Sequence, residues 1–196
     1  MLDINPKKLI GPWKEGYALD VHTVSSDYLG EDQFGNARYN TKRSQVGELL
    51  YGLKYNKDKT AVKALAVTAA EFINSQGWNI DVIVSVPATT ARKEQPVVLL
   101  AEAIGGIIAV PVSSSAIVKV KDLPPLKNVT DYNQRIELLT GAYKVFIQEV
   151  IGQRVLLLDD LYRSGATLQE VCRCLIEEGQ PKAVYALSMT KTRSNQ

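Results

Sequence analysis

Two short runs, residues 82–86 (VIVSV) and 155–158 (VLLL), are aliphatic or small at every position and leave no polar face. A strand of that kind is covered on both sides, as in a parallel sheet sandwiched between helices. Outside the runs, apolar residues recur at helical spacing. One set is Val46, Leu49, Leu50 and Leu53, and a second is Val62, Leu65, Ala69, Phe72 and Ile73, with Asp58 as N-cap and Gly77 as stop. A third is Val97, Leu100, Ala101 and Ile104, closed by Gly105 and Gly106, and a fourth is Leu168, Val171, Leu175 and Ile176, closed by Gly179. Further strands are expected at 107–112 and 183–189. Repetition of strand, helix and strand predicts an α/β fold with a mainly parallel central sheet flanked by helices.

The amino-terminal part has a different texture. Residues 17–24 alternate as a half-buried strand does, and residues 30–36 (GEDQFGN) are rich in turn formers. We therefore expect a small hairpin-like lobe over 1–45 and an α/β core over 46–196 in one compact domain. Trp13, Tyr17, Tyr28, Phe34 and Tyr39 either stack on a ligand or form the lobe's own core. The lone histidine, His22, has no neighbouring Cys or His to complete a metal site.

Composition narrows the function. With 196 residues, 45% of them hydrophobic, a core needs no disulfide or metal staple. A formal net charge of +2 argues against sequence-independent binding of duplex, which relies on many cations neutralising phosphates, so nucleic acid is not expected as a direct ligand. No stretch approaches the roughly 18 apolar residues of a membrane span. The start, MLDINPKKLIGPW, lacks the apolar region of a signal peptide. Cys172 and Cys174 lie two apart on a helix and point away from each other, as small hydrophobes rather than a disulfide or metal pair. A soluble cytoplasmic protein is expected.

Residues 155–167 (VLLLDDLYRSGAT) carry the chemistry. An apolar strand runs into Asp159 and Asp160, and Ser164, Gly165, Ala166 and Thr167 then open a helix. In open α/β sheets the crevice at the carboxyl ends of the strands binds ligands. A helix start offers backbone N–H groups and the positive end of a dipole to a phosphate. Gly165 permits close backbone approach, and the Ser164 and Thr167 hydroxyls add donors. Carboxylates accept from a pair of vicinal hydroxyls, so the combination describes a ribose 5-phosphate. Neither GxxxxGK[ST] nor a GxGxxG after the first strand occurs, and the element order is wrong for a phosphorylatable receiver.

The segment resembles the phosphoribosyl pyrophosphate (PRPP) motif of type I phosphoribosyltransferases. Within that family the ComF-like, or amidophosphoribosyltransferase-like, pattern is the most similar. Residues 49–58 (LLYGLKYNKD), 82–93 (VIVSVPATTARK) and 135–143 resemble its further segments, and together the resemblance spans roughly 45–191. The chain departs from it at residues 93–96 (KEQP), where such chains carry RGFNQ, and it has no cysteine before Cys172 to form their zinc knuckle.

The resemblance implies a type I phosphoribosyltransferase fold with a hood-like N-terminal lobe. It implies that Asp159 and Asp160 bind the ribose hydroxyls, and that Asp159 to Thr167, including Leu161, Tyr162, Arg163, Ser164, Gly165 and Ala166, form the PRPP site. Ala88, Thr89, Arg92 and Lys93 are expected at the pyrophosphate, with Arg92 and Lys93 stabilising the leaving charge. Residues 121–141 read as a lid or an ordinary surface excursion, with Lys119, Lys121, Lys127 and Arg135 available to close over the same oxygens. Mg²⁺ is the implied cofactor, carried on PRPP and indirectly bound by Asp159 and Asp160. The implied reaction displaces pyrophosphate with a nitrogenous acceptor, and related folds often pair as homodimers. A non-catalytic PRPP sensor and a competence accessory protein are the alternatives. Because neighbouring strand residues project to opposite faces, both carboxylates are expected to meet one ligand only where the strand ends.

Overall fold

A computed structural model describes residues 2–56, 58–88, 94–124, 126, 129 and 131–193. Its centre is a six-stranded sheet assembled from distant parts of the chain. The strands are β1 (Lys7–Lys8), β2 (Glu15–Val21), β5 (Val82–Ser85), β6 (Val112–Ser113), β9 (Arg154–Tyr162) and β10 (Ala183–Lys191), in the order β1-β2-β10-β9-β5-β6. All neighbours are parallel except β1 with β2 at one edge. A second pair, β3 (Thr23–Glu31) and β4 (Ala37–Arg43), forms an antiparallel hairpin, and β7 (Ile117–Lys119) pairs with β8 (Tyr143–Val145).

Helices cover both faces, as the apolar runs require. On one side α1 (Gln45–Tyr51), a π-helical turn (Gly52–Asn56), α2 (Ala61–Ser75) and α3 (Pro96–Ile108) bury Leu50, Leu65, Ile73, Leu100 and Ile104 against Ile83, Leu156 and Leu158. On the other, α5 (Ala166–Gly179) with β7 and β8 buries Leu168, Val171, Leu175 and Tyr143 against Val84, Val155 and Leu157. The period-two split of residues 155–158 between the two clusters is the pleat of a central strand. Cys172 and Cys174 are buried and free, and burial pushes their thiols up to about 12 and about 11. Among the described residues, no helix is long and apolar enough to cross a membrane.

Several expected boundaries move. Helix α3 does not stop at Gly105–Gly106; it runs to Ile108 and is capped by Ala109 in the left-handed region (φ 55°). Gly105 is there for space, since a Cβ would lie 2.6 Å from the Val110 carbonyl oxygen. The strand expected at 107–112 therefore shrinks to Val112–Ser113. Helix α5 likewise includes Gly179 and ends at Gln180 (φ 49°). Asp58 sits two residues before Thr60, the N-cap of α2, but it accepts from the Thr60 N–H at 3.0 Å and shapes the entry. The excursion at 121–141 contains a fourth helix, α4 (Tyr132–Leu139), capped by the Asp131 carboxylate, which accepts from the Gln134 N–H.

The larger change concerns the amino terminus. Strand β2, expected in a separate lobe, pairs with β10 along Tyr185↔Glu15 to Lys191↔Val21 and belongs to the main sheet. Only the β3–β4 hairpin projects from it, at the carboxyl end of β2. Trp13 and Tyr17 are core residues, Tyr17 meeting Phe72 and Trp78, whereas Tyr28, Phe34 and Tyr39 are exposed on the hairpin. His22, at the hairpin's base, meets the Thr190 hydroxyl through Nδ1 at 3.2 Å, and burial lowers its pKa.

Candidate functional site

Strand β9 continues through the acidic pair, with Asp159 opposite Ser188 and Tyr162 opposite Lys191. The two carboxylates therefore leave opposite faces of the sheet. They nevertheless both line one cavity of about 490 Å³ at the carboxyl end of the parallel strands. Strand β9 runs on to Tyr162, so the pair reaches the cavity from within the strand and not from beyond its end.

Each carboxylate has its own surroundings. Asp159 Oδ1 accepts from the Asp160 N–H at 2.8 Å. Burial, and next the charge of Asp160, push the Asp159 carboxyl up to about 7, against the pull of those backbone donors and of Lys54. Asp160 Oδ2 is 2.7 Å from the ammonium of Lys54, which reaches it from the π-helical turn on the α1–α3 side.

Past the acids the chain turns through Arg163 and Ser164 to Gly165, the N-cap of α5, in the left-handed region (φ 84°). A Cβ there would be strained, and it would also overlap the Tyr162 ring that packs on this turn. Gly165 provides no side-chain capping bond, so the helix start and the Ser164 and Thr167 side chains face the cavity together. Arg135, from α4, donates through its guanidinium to Ser164 Oγ at 2.8 Å and to the Val129 carbonyl. Tyr132 on the same helix donates to Gln169 Oε1 of α5 at 3.1 Å. Together these bonds tie α4 to α5 and to the turn that opens it. A helix start with an adjacent guanidinium can hold a phosphate.

The sequence candidates divide three ways. Asp159 to Thr167, Ala88 and Arg135 line the common cavity. Within it, Arg135 lies beside Ser164. Lys121 does not line the cavity: its ammonium donates to the Thr140 carbonyl at the end of α4, at 2.7 Å. Thr89, Arg92, Lys93 and Lys127 lie outside the described residues.

Lys54, Tyr55, Gln95 and Leu126 also line the cavity, and sequence reasoning singled out none of them. The signal for the first two was the resemblance at 49–58, which marked the segment without a residue. Tyr55 and Tyr162, not the hairpin aromatics, are the aromatic side chains among the described residues that line this cavity.

Among the described residues no group of three or more His, Cys, Asp or Glu is placed to cage a metal. Two carboxylates, one engaged by a lysine, suit a divalent ion that arrives on a polyphosphate and keeps some of its waters.

No family model and no curated protein matches this sequence. Among solved structures the chain is similar to the allosteric regulatory enzyme of purine biosynthesis, with a TM-score of 0.50 at 14% identity over 81% of this chain and 34% of that one. It is also similar to adenine phosphoribosyltransferase from Thermoanaerobacter pseudethanolicus (TM-score 0.46, 16% identity, 85% of this chain and 95% of that one). A third is adenine phosphoribosyltransferase from Saccharomyces cerevisiae (TM-score 0.47, 10% identity, 84% of each chain). At such identities the likeness shows the fold alone, the α/β type I phosphoribosyltransferase fold expected from residues 155–167.

Proposed function

We propose that the protein binds Mg–PRPP and transfers its phosphoribosyl group to a nitrogenous small molecule, releasing pyrophosphate. One observation carries the reading: the carboxylate pair and the helix-start turn share a single cavity. The 5-phosphate would sit against Ser164 to Thr167 at the start of α5, with the Arg135 guanidinium beside it. The ribose hydroxyls would donate to Asp159 and Asp160. Attack by the acceptor nitrogen at the anomeric carbon forms the C–N bond while the C–O bond to pyrophosphate breaks. The acceptor's proton passes to solvent. The carboxylates oppose the positive charge that develops on the sugar ring. Asp159 and Asp160 are the residues that would help hold Mg²⁺ carried on PRPP, which would neutralise charge on the leaving pyrophosphate. Arg92 and Lys93 are assigned the same task on the strength of the resemblance.

The finer ComF-like reading gains support from where its segments fall, since 49–58 and 135–143 each bring a cation, Lys54 and Arg135, to the cavity. A PRPP sensor without turnover is the second reading. It is favoured by the departure from the family pattern at residues 93–96 (KEQP).

Calorimetric titration with Mg–PRPP, and pyrophosphate release over a panel of bases and amides, test the proposal. Wild type should bind, and Asp159→Asn combined with Asp160→Asn should abolish binding. Unchanged affinity in the double variant would refute the ribose assignment. Binding without release across the panel would select the sensor.

A further inference from the structure

Arg135 stands beside the 5-phosphate in the reading above, and its direction has to be set by something other than the phosphate. It comes from α4, a helix of eight residues of which only Leu139, near the carboxyl end, is buried. That end is also held by Lys121, whose ammonium donates to the Thr140 carbonyl. The amino-terminal half of α4 buries no residue, so polar bonds set its place.

Among the described residues, two side-chain bonds join that half to α5 and its opening turn. One is Arg135's own, to Ser164 Oγ at 2.8 Å. A phosphate at the start of α5 would draw on the same guanidinium, so this bond cannot also serve as the helix's fixed tether. The other involves no group assigned to the ligand: the Tyr132 hydroxyl donates to Gln169 Oε1 at 3.1 Å. Tyr132 and Arg135 are three apart on α4 and share a face, so fixing one fixes the other's direction.

Gln169 has little freedom of its own. Its Nε2 donates to the carbonyl of Ile10, 159 residues away, at 3.3 Å, and a flipped amide would set two carbonyl oxygens against each other. The loop that bears Ile10 is pinned in turn by buried Trp13, whose Nε1 donates to the Leu9 carbonyl at 3.1 Å. The Gln169 backbone N–H donates to the Gly165 carbonyl in the first turn of α5. One side chain thus joins the edge of the sheet, the start of α5 and α4.

We infer that Tyr132 and Gln169 are positioning residues of the phosphate site, holding α4 in the rotation that brings the Arg135 guanidinium to the start of α5. The inference rests on the PRPP reading for its ligand, a sugar phosphate, but not for its geometry. A guanidinium recognises phosphate best through two parallel bonds, an approach that a helix free to roll would seldom present. A bond that merely steadied the fold would affect binding with or without Arg135. This one acts on binding through Arg135.

The test is a double-mutant cycle read by calorimetry with ribose 5-phosphate, a probe that carries the phosphate without pyrophosphate or a metal. Arg135→Met should weaken binding about tenfold or more, as loss of hydrogen bonds from a charged group does. Tyr132→Phe and Gln169→Ala should each weaken it about threefold to fivefold. In the Arg135→Met background neither should cost more than about twofold. In parallel, NMR of the ligand-free proteins follows the Arg135 Nε–H, whose guanidinium bonds Val129 and Ser164. Its resonance should move toward that of an exposed arginine in Tyr132→Phe.

Equal losses with and without Arg135 would make Tyr132 and Gln169 structural residues and overturn the inference. Unchanged binding in any of the three single variants, where wild type binds, overturns it as well. If wild type binds neither ribose 5-phosphate nor Mg–PRPP, the functional reading fails, while an unmoved Arg135 resonance in Tyr132→Phe separately refutes the positioning.

Discussion

Replacing Asp159 with Asn should make the protein more stable and its site inert. The carboxyl of Asp159 is raised from 3.8 to about 7, first by burial and then by the neighbouring charge of Asp160. An unfolded chain releases that proton near 3.8, so between there and 7 the folded state binds the extra proton. Stability on this account falls as pH rises from 4 and levels off above 7. At about 1.4 kcal/mol per pH unit the full rise corresponds to about 4 kcal/mol, which is a ceiling. The carboxylate borders an open cavity, so screening by water reduces the expected cost to about 1–2 kcal/mol.

Asn has nearly the same shape and no charge to desolvate. Urea unfolding of wild type and Asp159→Asn should therefore coincide near pH 4 and diverge steadily, the variant leading by about 1–2 kcal/mol at pH 8. Its Mg–PRPP binding should be lost over the same range. A variant less stable than wild type at pH 8, or a gap that does not widen with pH, would refute the account of a carboxylate held against its solvation preference.

Two further outcomes follow from local geometry. Gly165→Ala places a side chain at φ 84° and against the Tyr162 ring, so it should cost about 2–3 kcal/mol in denaturant, about 1–2 from the left-handed backbone and the rest from displacing the ring; adding Tyr162→Ala should remove the collision and leave the backbone part, and a loss below about 1 kcal/mol would contradict this. The hydrogen bonds from the Arg154 guanidinium, and next its backbone N–H, hold Asp81 down at about 2, so its contribution is whole above 3.8 and is lost as pH falls toward 2; melting temperatures of wild type and Asp81→Asn should differ at pH 7 and converge at pH 2, and a constant difference would argue against the pair.

Residues 82–86 and 155–158 were legible because a strand buried on both faces leaves no room for polar residues, and the turn before α5 because few residue types tolerate its geometry. Strand β2 was not, because alternation looks alike in a hairpin and at a sheet edge. Its partner β10 lies more than 160 residues further along, with Tyr185 opposite Glu15. Gly105 was misread because a glycine that admits a neighbouring carbonyl has the same letter as one that ends a helix. Lys54 was invisible for a similar reason: a lysine in a turn carries no periodic signature, and only the fold reveals that Asp160 is beside it.

The position of β9 between β5 and β10 also has a consequence for biosynthesis. A growing chain that has emerged only through α5 has β9 exposed along one side, and β2, made long before, has only the short β1 to pair with. Both edges close in one event when residues 183–191 arrive, so the two halves of the sheet join at the strand that carries the acids. Ribosomes add roughly 5–20 residues per second, and for the seconds before that closure the acidic pair lies on an open sheet edge. A ligand that prefers the closed sheet would then assist maturation itself, by drawing freshly completed chains into the folded state.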